Sequence, residues 1–72
     1  MLEVAIKSNI DAVLKQKGVS AYKLAQMMGK HSNHIYRLAK RDHIDDVSLK
    51  TMAGIANALG VTVDSLFTVE PD

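Results

Sequence analysis

The sequence predicts an all-α fold, a compact five-helix orthogonal bundle in one small domain spanning residues 1–72. Three observations lead there. Apolar residues recur at helical spacing along the chain, glycines fall where periodic runs stop, and no alternating stretch marks a strand.

Ile6, Ile10, Val13 and Leu14 lie at i, i+4, i+7 and i+8, one face of a first helix. Gly18 follows Lys15 and Lys17, as a C-terminal cap with cations at the negative end of the dipole should. Ser20 can cap a second helix that buries Leu24, Ala25 and Met28 and stops at Gly29. A third helix, about Ser32 to Lys40, turns Ile35, Leu38 and Ala39 inward. The polar stretch Arg41 to Val47 reads as a loop. Ser48 caps a fourth helix, whose inward stripe is Leu49, Met52, Ile55, Ala56 and Leu59, closed by Gly60. Thr62 begins a last short helix with Asp64 in its first turn and Leu66 and Phe67 to bury. Met27, Met28 and Met52 sit at core spacing. Pro71 marks a frayed tail, about residues 68–72.

Composition excludes several classes of function. The chain has no cysteine, hence no disulfide frame, thiolate zinc site or thiol nucleophile. Its apolar runs are too short to span a membrane, and it opens without a signal peptide's apolar stretch, so the expected setting is cytoplasmic. A core this small leaves no room for a deep catalytic cleft, and no enzyme is expected. His31, His34 and His43 lack the cysteine or carboxylate pair that would complete a metal shell, so neither metal nor cofactor is expected. Asp45 and Asp46 read as solvated surface.

The net charge of +1 conceals an asymmetry. Seven cations and no carboxylate lie between Lys15 and Arg41, whereas six carboxylates and one cation, Lys50, follow from Asp42 onward. A basic middle third in a near-neutral chain is either a solvated face or a surface for a polyanion. At about 100° per residue, an inward Ile35 turns Asn33 and Arg37 almost directly away, with Lys40 beside them and Ser32 and Tyr36 at the flanks. That stripe carries side chains that bind bases and phosphates.

Two helices that cross over a tight turn need a small residue at their contact and one that tolerates positive φ at the turn. Ala25 and Gly29 meet both needs. The frame Leu24-Ala25, Gly29, Ile35 and Leu38, followed by the block from Ile55 to Leu66 (IANALGVTVDSL), resembles the helix-turn-helix domain of phage repressors and Cro proteins, which includes many bacterial XRE-type regulators. The resemblance covers about residues 5–67, with the helix-turn-helix at about 20–40. It implies a lambda-repressor-like DNA-binding fold from a bacterium or phage.

What it implies about function is a sequence-specific DNA-binding transcriptional regulator, a repressor. It would act as a homodimer on two-fold symmetric double-stranded DNA, reading the major groove with the third helix. Carried over by position, the base-reading residues are Ser32, Asn33 and Arg37. Arg37 suits guanine O6 and N7, and Asn33 suits adenine N6 and N7. Phosphate contacts fall to Ser20, Tyr22, Lys23, Lys30, His31, Tyr36, Lys40 and Arg41. The subunit contact is assigned to Leu66, Phe67 and Val69, with or without the Asp42–Val47 loop. The family commonly has an apolar residue where this chain has Lys30, and either His31 or Ser32 caps the third helix. Where many relatives pair a cation with a glutamate, this chain has apolar Leu14 and Ala39. The acidic loop is expected to sit away from DNA or in a subunit contact. Two other readings stay open: an antitoxin-type regulator that also binds a toxin protein, and a protein-interaction module without DNA binding.

Overall fold

The computed structural model describes residues 4–29 and 32–71. A strand β1 (Val4–Ser8) leads into helices α1 (Ile10–Lys17), α2 (Ala21–Met28), α3 (Ser32–Ala39) and α4 (Leu49–Leu59). A single 3-10 turn (Val63–Leu66) then delivers the chain into strand β2 (Phe67–Pro71). The fold is therefore mixed, four α-helices with a two-stranded antiparallel sheet among the described residues, and not the all-α five-helix bundle that periodicity predicts.

Both corrections lie at the ends of the chain. Ile6 falls on the spacing of α1 but belongs to β1. Ser8 Oγ instead accepts the Ile10 N–H at 3.2 Å, and the helix starts only after Asn9. The expected frayed tail is strand β2, with Val4 opposite Pro71, Ile6 opposite Val69 and Ser8 opposite Phe67. Phe67, Thr68 and Val69 are aromatic or β-branched and fit a pleated surface. Pro71, which cannot donate to a ladder, stands at the strand's end. The expected fifth helix shrinks to the 3-10 turn, whose Ser65 N–H and hydroxyl both bond the Thr62 carbonyl.

The core joins α1 (Ile10, Val13, Leu14), α2 (Ala21, Leu24, Ala25), α3 (Ile35, Leu38, Ala39) and α4 (Met52, Ile55, Ala56, Leu59), together with Ile44 and Leu66. Leu14 and Ala39 are both buried in this core, so neither apolar side chain leaves a charge stranded there. Two members of the expected stripes lie outside the core. Leu49 is 73% exposed because it opens the first turn of α4, and Met27 is exposed at the margin of the buried stripe of α2.

The loop after α3 has more order than its composition suggests. Ser8 N–H donates to the Asp42 carbonyl and Ile44 N–H to the Ile6 carbonyl, each within 2.9 Å, and Lys7 bridges His43. The loop thus lines the second edge of β1, and Ile44 plugs the core beneath it. Among the described residues no helix is long and apolar enough to cross a membrane.

Candidate nucleic-acid interface

Helix α2 begins where Ser20 Oγ accepts the Lys23 N–H at 3.0 Å, satisfying one of the free donors of the first turn. That turn contains no acid, so the remaining amides and the positive end of the dipole meet no internal carboxylate from it. Gly29 ends the helix at φ +73°, its N–H shared between the Ala25 and Gln26 carbonyls. A side chain here would be held in the left-handed region, at a cost of about 1 kcal/mol or more. Gly29 therefore permits the sharp exit from α2 that the next helix requires. Lys30 and His31, expected phosphate contacts, lie outside the described residues, as does the question of which residue caps α3.

Helix α3 is strongly two-faced. Ile35, Leu38 and Ala39 are buried, while Asn33, His34, Tyr36 and Arg37 are exposed and Lys40 is exposed just beyond its end. Ser32 opens the helix, and only its backbone position is described. The Lys40 ammonium stands 5.8 Å from the centre of the Tyr36 ring, so the aromatic face helps to hold that cation at the rim. No acid lies in the first turn of α3 either. Tyr22 and Lys23 are exposed on α2, and Tyr22 is free of the packing that would hide its hydroxyl.

Arg41 differs from the other cations of this group. Its Nη2 lies 2.7 Å from Asp46 Oδ1, five residues along the loop. The Arg41 side chain, by that hydrogen bond, holds the Asp46 carboxyl below its ordinary range, with help from a backbone hydrogen bond and a smaller influence from His34 of α3. Asp46 is exposed, as expected of surface, but is engaged by Arg41. Asp45 has a separate task, accepting the Ile6 N–H at the edge of β1. His43 Nε2 lies 3.1 Å from Glu70 Oε1 and links the loop to β2. The sequence signal for the Arg41–Asp46 pair was a pair of opposite charges five residues apart. Its geometry depends on how the loop turns against β1.

The expected subunit contact divides. Leu66 is fully buried in its own core and is withdrawn from the surface, because its helical turn packs against α1 and α4. Phe67 is half-buried and Val69 half-exposed on β2.

With α2, the glycine turn and a two-faced α3 in place, the comparison with family models is decisive. The model of the Cro/C1-type HTH DNA-binding domain matches residues 9–72. The chain belongs to that family. No curated protein and no solved structure matches it significantly. In this Cro/C1-type domain the match takes in all four helices and β2, while β1 lies ahead of it. The Cro/C1-type domain is accordingly a DNA-binding regulator domain.

Proposed function

We propose that this domain is a sequence-specific transcriptional repressor of the cytoplasm that binds a two-fold operator as a homodimer and inserts α3 into the major groove. The observation that carries this reading is the outward ridge of Asn33, Arg37 and Lys40, set against the buried Ile35, Leu38 and Ala39 of the same segment. Ser32, Asn33 and Arg37 are the base readers. Arg37 places two donors on guanine, worth about 1–3 kcal/mol of discrimination, and Asn33 bridges adenine at closer approach. Ser20, with the α2 amides behind it, Tyr22 and Lys23 take phosphates of one strand. Tyr36, Lys40, Lys30 and His31 take those flanking the groove. Arg41 contributes only when it leaves Asp46.

One reading helix spans too few base pairs for useful specificity, which is the reason to expect a pair of copies on half-sites about one helical turn apart. The test is selection of sites from random duplex DNA with the native protein and with Arg37→Ala. The expected result is loss of preference at one base pair per half-site, with residual non-specific binding. Equal weakening on every sequence would make Arg37 a phosphate contact and displace the assigned register.

A further inference from the structure

An apolar hollow of about 180 Å³ opens where β1, the loop after α3 and the start of α4 meet. Its floor is the buried pair Ile44 and Met52. Half-buried Ile6, Val47, Val63 and Phe67 make the walls, each from a different segment. Leu49, 73% exposed, stands at the rim. The size is sufficient for a ligand, since an apolar cavity of about 150 Å³ already holds a benzene-sized ring.

One lining residue departs from this chemistry. Asp45 is the only one whose side chain carries a polar group. Its Oδ1 accepts the Ile6 N–H and fixes the loop to β1, which leaves Oδ2 without a protein donor among the described residues. Nor does any cation among the described residues pair with this carboxylate. Apolar walls with one placed polar group are the ordinary form of a small-molecule site. A carboxylate as that group selects a cation. The complementary molecule has a compact apolar body that fills the hollow and one ammonium that reaches Asp45.

We infer that this hollow binds a small amphipathic amine of the arylalkylamine class, and that the bound amine lowers the affinity of the domain for DNA. The second half follows from the loop. Ile44, Asp45 and Val47 line the hollow, and Asp46 between them holds Arg41 at 2.7 Å. A molecule packed between this loop and the Met52 and Val63 side chains braces the loop against the body of the domain. It favours the state in which Arg41 is withheld from a phosphate, because a ligand shifts an equilibrium toward the conformation it binds better. Only this consequence for DNA rests on the proposed repressor reading; the binding itself does not.

The experiment uses the whole chain and phenethylamine, with phenethyl alcohol as the uncharged counterpart of similar shape. Without DNA, an NMR titration with the amine should give saturable shifts at Ile6, Val47, Val63 and Phe67, with a Kd of about 1 mM or below. Exchanging the amine for the alcohol, or the native chain for Asp45→Asn, should each weaken binding about threefold, the scale of one screened ion pair. Asparagine keeps an oxygen for the Ile6 N–H, so the melting transition of that variant should be unchanged. With duplex DNA, saturating amine should weaken native binding about twofold or more and leave Asp46→Asn unaffected, since one phosphate contact is at stake. Absence of saturable shifts would overturn the inference, as would equal binding of amine and alcohol or of the native chain and Asp45→Asn. Shifts at the same residues on raising protein concentration alone would show the hollow filled by a second copy, and would also overturn it. An amine that binds without weakening DNA binding would overturn the regulatory half. A chain that binds the amine but no duplex would bear out the site and fail the repressor reading.

Discussion

Arg41 holds the Asp46 carboxylate at 2.7 Å, so one cation at the end of α3 is already answered from within the chain. Both partners are exposed, and such pairs add little to stability because water and salt screen them. Their larger consequence is for a polyanion. Asp46→Asn should release Arg41, raise affinity for duplex DNA and steepen the log–log salt dependence by about 0.9 per protomer. Fluorescence anisotropy across a salt series measures both. An unchanged slope would mean that Arg41 does not reach a phosphate even when free.

The same pair sets a direction with pH. Asp46 titrates below its ordinary value, chiefly because the Arg41 side chain hydrogen-bonds its charged form. A carboxylate whose folded value is depressed stabilises the fold above its unfolded value, and that contribution is lost as pH falls through the folded one. An NMR titration should place the Asp46 midpoint below that of an unperturbed aspartate. In Arg41→Gln it should rise back toward the ordinary range.

Leu66 is fully buried, and its carbonyl accepts the Asn9 N–H, so it joins the final turn to the start of α1. Leu66→Ala should cost about 2–5 kcal/mol by loss of burial and by the cavity it leaves. Urea denaturation should show a lower midpoint with the slope retained. A loss below about 0.5 kcal/mol would contradict its place in the core.

Gly54 lies mid-helix in α4, where a Cβ would come within 3.1 Å of the Met28 Cε. That neighbour is the flexible tip of a half-buried side chain, which can give by a few tenths of an ångström. Helix propensity favours alanine over glycine by about 1 kcal/mol. Gly54→Ala should therefore stabilise the domain by about 0.5–1 kcal/mol in thermal denaturation. Destabilisation would show that the α2–α4 contact is too tight to yield.

The helix pair at the centre of this domain could be read from residues 20–40 because every relation in it is local. Ser20 caps its own helix, Gly29 turns the chain, and Ile35 and Leu38 mark the buried face at the spacing of one helical turn. The same locality exposed Asn33, Arg37 and Lys40 together. Misplaced residues such as Leu49 and Met27 sat at the margin of a stripe, where a small rotation moves a side chain from core to water.

The sheet could not be read in that way. A helix finds each backbone partner four residues away, whereas the β2 partners of β1 lie about sixty residues along the chain. Each strand has five residues, too few to display a period, and Ile6 also matched the helical one. Helix positions, caps and the outward ridge were thus written into the linear order of residues. The pairing of the two chain ends and the capture of Arg41 by Asp46 arose only when packing brought distant backbone together.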